Sequence, residues 1–502
     1  MKKLVLLFIG LLSMPIVNAQ DINDAFRYSQ DEVQGTARFR AMSGAFGAVG
    51  GDMSAISINP AGSALFKQSH ASFSFSSLNT KNDTNYFNGF NSTSDSNLDF
   101  PQAGIVFVFS SYNSPWKKVT LGIAYDKFQN YNDDWFAFGN NTTSIDSYFS
   151  SYAQGLRLDE ISALPGETIT DAYADIGRSY GYGHQQGFLG YESYILEPET
   201  DTDNNTIYDS NIAAGDFNQD YFYTSSGYNG KVSFNAATQY RDNLFLGINL
   251  NSHFIDYTRS TQFFERNSNL GSSINEVAFD NFLSTIGYGF SFQLGGILKL
   301  NEFFRIGLTY NSPTWFKIED ETIQYVATVR DDAGSNITQV VDPRIVSVFP
   351  IYKLQTPGKI AGSFAFVFHD KGIISFDYSR KDFGNTKFKP TTDPYFVTQN
   401  NIISDRLTAA STYRIGGEFN HNQFSFRGGY RFEESPYKDK TIDDLNGFSF
   451  GLGYDFGKTK LDLTYDQSKQ NRNYQLFDTG LTDSAFIDTR KSNISLSLRF
   501  DI

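Results

Sequence analysis

The stretch GTARFRAMSGAFGAVGGDMSAISINPAGSALF, from Gly35 to Phe66, decides the fold of this chain. It contains six glycines and seven alanines but few large apolar residues. It therefore lacks both the long apolar run of a membrane-spanning helix and the side-chain volume for a core of its own. Since the much longer remainder of the chain has a strand pattern, we interpret this stretch as a compact insert that packs inside a larger structure.

Two local signals shape the insert. Asp52 precedes residues 53–56 as a helix N-cap, because its carboxylate accepts the free amide hydrogens of a first turn. The motif that ends this helix consists of Asn59, Pro60, Ala61 and Gly62. Proline disfavours the helical conformation at Asn59, and glycine allows positive φ at the exit. The alternative, to which we give equal weight, is that this motif is a glycine-rich turn with no further role.

Residues 1–19 are predicted to form a secretory signal peptide. Lys2 and Lys3 precede an apolar run from Leu4 to Leu12 that is too short to span a bilayer, and small residues end the segment at Ala19. We therefore expect the mature protein to be exported after a cut behind Ala19. No later segment offers the roughly 18 consecutive apolar residues of a transmembrane helix, so a membrane location would require a β-barrel.

Composition favours strands with one apolar face and one wet face. The chain has 49 Phe and 30 Tyr, whereas charged residues make up only 19%. Its net charge of −14 disfavours nucleic acid as a partner, because phosphates would be repelled. The absence of cysteine from the sequence excludes a disulfide-stapled fold and a cysteine-ligated metal site.

The strand pattern is clearest near the C-terminus. Every second position there is large and apolar: Phe448, Phe450, Leu452, Tyr454 and Phe456. A period of two places these residues on one face, opposite Ser, Gly and Asp. A soluble β-sandwich would alternate too, but it rarely shields a face with so many aromatics, so the pattern favours a barrel with lipid outside and a wet lumen.

We count fourteen strands, an even number as in bacterial barrels. They lie near residues 70–78, 101–111, 117–129, 227–240, 243–259, 283–300, 303–318, 350–369, 372–383, 406–420, 423–434, 445–457, 459–470 and 490–502. Tight turns alternate with links of about ten to nearly a hundred residues, which is the asymmetry of periplasmic turns and external loops. The prediction is an all-β, transmembrane antiparallel β-barrel of about 14 strands over residues 70–502, with both termini periplasmic.

The glycine- and alanine-rich segment with its NPAG motif, followed by fourteen strands, resembles the long-chain fatty-acid transporter family of outer-membrane proteins, the FadL type, and especially its Bacteroidetes relatives. The resemblance is strongest over residues 35–66 and covers the barrel as architecture. It implies that residues 20–69 form a hatch in the lumen, with Asn59, Pro60 and Ala61 matching the family's Asn-Pro-Ala segment. It also implies inward carriage of hydrophobic compounds such as long-chain fatty acids. We expect this carriage to be passive and to need no bound cofactor, because the sequence has no nucleotide-binding loop and residues 21–29 do not resemble the N-terminal box that engages an energy-coupling partner.

The same family is known for an inward kink in its third strand that opens a side exit into the bilayer. Gly122 is the candidate pivot here, although a lumen-facing glycine that makes room for the hatch is the favoured reading. One feature departs from the family pattern. The family captures ligand with loops after the fifth and seventh strands, whereas the largest loop here follows the third, near residues 130–226.

Helices are expected within that loop. Between residues 161 and 180, one face of a helix would carry Ile169, Ala172, Tyr173 and Ile176. Such a helix would either cap the barrel or offer an apolar groove, and capping is the preferred interpretation.

The same loop holds a weak calcium candidate made of Asp201, Asp203, Asn205 and Asp209. Thr206 stands where an EF-hand loop requires glycine, and Ile212 where it requires glutamate. A solvated acidic loop, or cations bridging lipopolysaccharide, is therefore the preferred explanation. We expect no metal site, no cofactor and no enzymatic activity, because the histidines are scattered and no nucleophile set is recognisable. Lumen-facing charges such as Asp126, Asp377, Asp455, Arg427, Arg431 and Arg499 are expected to anchor the plug.

Four functions stay open at this point. A passive carrier of hydrophobic compounds leads, because a general porin needs an open bore and this barrel is predicted to hold a plug. An open porin, a non-transporting platform for protein secretion and a haem-uptake protein are the alternatives. We expect a monomer in the outer membrane, in contact with its lipid and lipopolysaccharide.

Overall fold

The computed structural model describes residues 20–111, 113–332 and 335–502, so the predicted signal peptide, residues 1–19, lies outside the described residues. The strands are β1 His70–Tyr86, β2 Gly89–Ser110, β3 Trp116–Asn130, β4 Asp133–Asn141, β5 Leu196–Pro198, β6 Tyr208–Ser210, β7 Phe217–Tyr240, β8 Leu244–Arg266, β9 Ile274–Lys299, β10 Phe304–Asn311, β11 Trp315–Asp332, β12 Ser335–Val341, β13 Ser347–Val348, β14 Tyr352–Gln355, β15 Lys359–Val367, β16 Gly372–Asp382, β17 Lys387–Lys389, β18 Ala409–His421, β19 Phe424–Glu433, β20 Leu445–Asp455, β21 Thr459–Gln475 and β22 Ser484–Asp501.

The α-helices are α1 Ile22–Arg27, α2 Ala37–Ala41, α3 Ala55–Ile58, α4 Asp146–Ala153, α5 Ile169–Ser179, α6 Tyr182–Glu192 and α7 Pro394–Arg406. Short 3-10 turns cover Pro60–Leu65, Leu158–Glu160 and Phe383–Asn385. None of the helices in the described parts of the chain is both long and apolar enough to cross a membrane.

The main sheet closes on itself. β1 pairs with β2 on one side and with the last strand, β22, on the other, from His70↔Asp501 to Asn85↔Phe486. The wall has fourteen strand positions, because pairs such as β3 with β4 and β10 with β11 follow one another along a single position. All neighbours in the wall are antiparallel. The predicted fourteen-strand antiparallel barrel is confirmed.

Several strands are longer than predicted. Residues 79–100, expected to form a link, continue β1 and β2 as far as Tyr86↔Gly89, with a turn at Phe87 and Asn88. The sequence there is polar on both faces, so the period-two signal disappears although the ladder continues. The largest loop is correspondingly shorter than 130–226 and spans residues 142–216, because β4 and β7 extend into it.

The two faces of the wall differ as lipid and lumen would require. In β8 the exposed Leu246, Ile248 and Leu250 alternate with the buried Asn249 and Asn251. The outward faces of the other wall strands carry exposed apolar side chains in the same way. An apolar outer band around a polar interior is the arrangement of a membrane barrel. We call the side with long connections the loop end, and the side with tight turns the turn end.

Candidate functional site

The hatch lies inside the barrel. From Gln20 to Phe66 most residues are buried and only Asn23 is exposed. The elements of the hatch touch opposite parts of the wall: α2 lies against β19 to β22, and the Pro60–Leu65 turn against β3 and β7 to β9. The hatch starts at the loop end, where the Tyr395 hydroxyl of α7 donates to the Gln20 carbonyl at 2.7 Å. Gln20 thus lies at the loop end and Asp501 at the turn end, because the chain runs down through the lumen before β1 begins. The expectation that both termini lie on the same side is therefore wrong for the described chain.

Lumen-facing glycines let the hatch backbone approach the wall. A Cβ on Gly295 would lie 2.1 Å from Asn59 Oδ1, and one on Gly247 would lie 2.4 Å from the Pro60 carbonyl carbon. On the opposite wall, a Cβ on Gly416 would lie 2.6 Å from the Met42 carbonyl oxygen. Because no real Cβ tolerates such distances, these strand positions accept only glycine while the hatch stays in place.

The NPAG motif connects the hatch to the barrel wall through Asn59. The fully buried Asn59 accepts the amide hydrogen of Ala61 at 3.1 Å through Oδ1. Its Nδ2 donates to the carbonyls of Gly47 at 2.8 Å and Gly296 at 3.1 Å. One side chain thus joins three segments, one of which belongs to the barrel wall. Helix α3 ends at Ile58, directly before this motif.

Two local expectations about this segment are wrong. Gly62 has no positive φ, because Pro60–Leu65 continues as a 3-10 turn, and a Cβ on Gly62 would lie 3.2 Å from the Cα of Gly50. Asp52 does not cap α3, which has Ser54 at its N-cap position. The Asp52 carboxylate instead accepts the Ser54 amide at 3.1 Å and the Thr36 hydroxyl at 2.7 Å, because α3 starts later than expected.

The third strand leaves the wall part of the way up. The β2–β3 ladder runs from Ser110↔Lys118 to Gln102↔Asp126 and then ends. Among the described residues, 89–99 pair only with β1, and 127–141 pair only with β7. Pro101 stands where the ladder ends and has no N–H to donate. The β1–β2 register also shifts there.

The freed backbone of the third strand binds the hatch instead. The Glu32 amide donates to the Phe128 carbonyl at 3.3 Å, and the Asn130 amide donates to Glu32 Oε2 at 3.0 Å. On the β2 side, Lys127 Nζ lies 2.9 Å from Asp99 Oδ1, so side chains replace the missing ladder. We call this break between residues 89–101 and 127–141 the seam.

Gly122 lies below the seam. It pairs regularly with Val106 on β2 and Asn235 on β7, and it faces the lumen. The strand departs from the wall only after Asp126.

Ion pairs fix the hatch to the far wall. The Arg38 guanidinium donates to Glu418 at 2.7 and 3.0 Å, and Arg427 joins Glu418 at 2.5 Å to Asp462 at 2.6 Å. Several lumen charges named from the sequence thus meet the hatch: Arg427 within this network, Asp377 through the Gly47 amide, and Asp126 through the Ser57 hydroxyl. Arg499 extends the network at Asp462, whereas Asp455 pairs with Lys460 near the turn end.

Two cavities flank the upper hatch. The larger, about 170 Å³, lies between hatch residues 26–40 and the wall formed by β1 and by strands from β15 to β22. The smaller, about 40 Å³, lies towards the third strand beside Phe128 and His253. Asp31 lines both and binds Lys359 Nζ at 2.6 Å and Lys381 Nζ at 2.8 Å, so it closes the space between them. Burial alone would raise the pKa of the Asp31 carboxyl, but the two ammonium groups hold that pKa below its usual range.

The largest loop caps the barrel. On α5 the side chains of Ala172, Tyr173 and Ile176 are buried in a cluster with the upper ends of β7, β8, β9 and β11. The Tyr173 hydroxyl donates to Gln324 Oε1 at 2.8 Å. The helix predicted within 161–180 is present, and its apolar face packs inward as a cap.

The calcium candidates lie in the β5–β6 hairpin. Asp201, Asp203 and Asp209 are exposed, while the Asn205 amide donates to the Ile207 carbonyl at 2.8 Å and shapes the turn. Across residues 20–111, 113–332 and 335–502, no group of three or more His, Asp or Glu residues is arranged to hold a metal ion.

Sequence reasoning missed the residues of the seam and of the Asp31 bridge. Asp31 and Glu32 precede the glycine-rich stretch in a charged segment that carries no motif, and their partners Lys359, Lys381 and Lys491 lie more than 300 residues away. Pro101 was the available signal, because a proline within a strand indicates a bulge or an unpaired edge.

Comparison with known proteins identifies the fold. No protein-family model matches the chain, and no curated protein matches it. Among solved structures, it is similar to a FadL homologue from Pseudomonas aeruginosa, with 11% identity and a TM-score of 0.53 over 94% of this chain and 99% of the other. It is also similar to the toluene transporter TodX of Pseudomonas putida, with 12% identity and a TM-score of 0.53 over 94% and 99%. At these identities the likeness shows a fold of the FadL type.

Proposed function

We propose that this protein carries hydrophobic compounds, such as long-chain fatty acids, passively across the outer membrane. Compounds are captured at the loop end, pass beside the hatch and leave sideways through the seam into the bilayer. One observation carries the proposal: the backbone of the third strand leaves β2 after Asp126 and binds Glu32 of the hatch instead. The solved structures of the same fold support it, because two of them are a FadL homologue and a toluene transporter.

A sideways exit suits the chemistry of the cargo. Each CH₂ group moved from an apolar environment into water costs about 0.8 kcal/mol. Release of a long acyl chain through the turn end into the aqueous periplasm would therefore cost many times this free energy. The seam begins directly above the lipid-facing parts of β2 and β3, whose outward side chains include Phe107, Leu121 and Ile123. The acyl chain could therefore reach the bilayer without crossing the periplasm.

Passive transport without chemistry is part of the proposal. The hatch is held by reversible ion pairs and hydrogen bonds such as Arg38–Glu418 and Asn59–Gly296. A small shift of the segment around Asp31 and Glu32 would join the two cavities and loosen the seam together. No cofactor and no energy-coupling step is required for this movement.

The test is uptake of radiolabelled oleate and toluene by cells that lack other carriers, with and without this protein, in the presence of a protonophore. We expect protein-dependent entry of at least one compound at the outer-membrane step. Cells that make an unrelated, plug-free porin at the same level are the control. Absence of protein-dependent entry would overturn the proposal, and large steady conductance of the purified protein would favour an open porin.

A further inference from the structure

Three lysines form a row across the outer face of the barrel wall. Lys317 of β11 pairs with Lys353 of β14, and Lys353 pairs in turn with Lys389 of β17. The residue next to each lysine along its strand is buried in the interior: Phe316, Leu354 and Phe388. Because successive side chains of a strand point to opposite faces, the three lysines point outward. We call them the lysine row.

The lysine row has no anionic partner in the protein. Within residues 20–111, 113–332 and 335–502, the three ammonium groups form no hydrogen bond and no ion pair. Glu319 and Glu321 follow Lys317 on the same face of β11, but neither carboxylate forms an ion pair in this part of the chain. Like charges placed directly opposite each other on a sheet destabilise it. The lysine row is therefore arranged for an anion that comes from outside the chain.

The position of the lysine row along the wall indicates where that anion lies. Trp315, 42% exposed, precedes Lys317 on the same face, and its cross-strand neighbour Phe290 is also exposed. Tyr288, 58% exposed, is the cross-strand neighbour of Lys317, whose Nζ lies 5.7 Å from the centre of the tyrosine ring. Aromatic girdles of this kind mark the boundary between lipid tails and headgroups. The lysine row thus lies at headgroup level, on the side of the loop end.

The size of the lysine row suits one lipid headgroup. Neighbouring strands lie about 4.8 Å apart, so the row spans about 10 Å. Lys387, two residues before Lys389 on β17, adds a fourth cation on the same face. Lysine side chains lay their carbon stems along apolar surface and keep the charged head at the interface. The ammonium groups can therefore converge on a single anionic headgroup.

The charge of the lysine row contrasts with the rest of the loop end. The capping loop, residues 142–216, has thirteen Asp and Glu side chains and only two Arg. The whole chain has a net charge of −14. A basic surface directly above an apolar band fits a molecule with an anionic headgroup and acyl chains, whereas an acidic protein would use only the basic part. Clusters of lysines next to a membrane are typical of anionic-lipid binding.

We propose that Lys317, Lys353 and Lys389 bind the phosphate groups of a lipopolysaccharide molecule in the outer leaflet. Its acyl chains lie against the apolar band below, beside Trp315 and Phe290. This lipid is a fixed neighbour of the wall and not a transported compound. The proposal depends on the outer-membrane location with the loop end outside, and it does not depend on the transport function.

The test measures binding of rough lipopolysaccharide, and of the same material after enzymatic removal of its phosphates, to the purified full-length barrel in neutral detergent. We expect the native protein to bind the phosphorylated form about tenfold or more tightly. Each lysine near an anionic surface is worth about fivefold in affinity. The triple variant Lys317→Gln/Lys353→Gln/Lys389→Gln should therefore bind about a hundredfold more weakly and lose most of this preference.

A matched control removes three exposed lysines from the turn end, in the variant Lys67→Gln/Lys371→Gln/Lys458→Gln. It changes the net charge equally and should bind as the native protein does. A control that loses as much affinity as the test variant would overturn the site, because total charge would then explain the binding. A folded test variant that keeps the native preference would overturn the role of the lysine row.

Measurements on the native protein alone also decide the proposal, even if the test variant fails to fold. Equal affinity for the phosphorylated and dephosphorylated forms, or binding of neither form, overturns it. Displacement of lipopolysaccharide by inorganic phosphate at comparable concentration overturns the lipid, because the lysines would then hold a free anion. Uptake of oleate and toluene is measured separately, so failure of the lipid site leaves the transport proposal standing.

Discussion

Asn59 and Gly295 fit together so closely that the hatch and the sixth strand of the wall depend on each other. The Asn59 Oδ1 atom occupies the space in which a Cβ on Gly295 would stand, 2.1 Å away. Asn59 Nδ2 meanwhile donates to the carbonyl of the next residue, Gly296, at 3.1 Å. Even a methyl group added at Gly295 in the wall should therefore disturb the hatch.

We expect Gly295→Ala to destabilise the closed state by about 1–3 kcal/mol, the usual cost of an added group in a packed site. The hatch should shift, and the purified barrel should show current bursts that the native protein lacks. Gly296→Ala is the control, because the nearest atom to its Cβ would be 3.7 Å away, an ordinary contact. Identical single-channel recordings for the two variants would show that the hatch is not seated on Gly295.

Asn59 itself gives a second prediction. Asn59→Ala removes three buried hydrogen bonds, each worth about 1 kcal/mol, so the unfolding midpoint and the uptake of hydrophobic ligand should both fall. Asn59→Asp should be worse, because it would direct a carboxylate at the carbonyls of Gly47 and Gly296. Asn204→Ala, in an exposed turn of the loop end, should be neutral. Thermal melts of the three variants check this order of stability. An Asn59→Asp variant as stable as the native protein would contradict it.

The segment as a whole gives a third prediction. Deleting residues 21–64 removes the mass that lies between opposite walls, and a fourteen-strand bore is near the size that leaves an aqueous channel. We expect a folded barrel with large, steady single-channel conductance. Wall carboxylates such as Glu418 and Asp462 keep Arg427 as a partner after the deletion, so the wall should assemble. A deletion variant that conducts no more than the native protein would contradict the plug.

The fold was predictable to the extent that side chains alternate. The Phe448–Phe456 pattern located β20 because lipid and lumen impose opposite chemistry on its two faces. The upper halves of β1 and β2 were not predicted because they carry polar side chains on both faces, so their ladder continues without a compositional signal. The NPAG motif predicted the end of α3, since proline acts locally. Asp31 and Glu32 act through partners on distant strands, which one sequence does not reveal.

Topology supplies a fourth prediction. The turn at Asn422 belongs to the turn end, whereas Asn204 lies exposed in the loop that caps the opposite end. In intact cells an epitope tag at Asn422 should be hidden, and a tag at Asn204 should be accessible to antibody. Permeabilised cells control for expression of both tags. Surface labelling of the Asn422 tag would show that the barrel has the opposite orientation, and the loop end could then not capture compounds from outside the cell.

The seam gives the last prediction. Glu32 accepts the Asn130 amide at 3.0 Å and binds Lys491 Nζ at 2.7 Å, so it joins the third strand to the hatch. Glu32→Ala should leave the Asn130 amide without its acceptor, and hydrogen exchange over residues 127–132 should accelerate about tenfold or more if the lost bond is worth about 1.5 kcal/mol. Glu32→Gln keeps an acceptor for the Asn130 amide, so its exchange rate over residues 127–132 should lie between that of Glu32→Ala and that of the native protein.

The charge of Glu32 sets the pH range of this effect. Burial alone would raise the pKa of Glu32, but the Lys491 ammonium and the Asn130 amide bring it below its usual value. A carboxyl with a depressed folded pKa stabilises the native state above its unfolded pKa, about 4.3, and this stabilisation is lost as pH falls through the lower folded value. Exchange at residues 127–132, corrected for the intrinsic pH dependence of exchange, should therefore be constant from pH 8 to pH 5 in the native protein. A rise within that range would show that the link to Lys491 does not hold the seam.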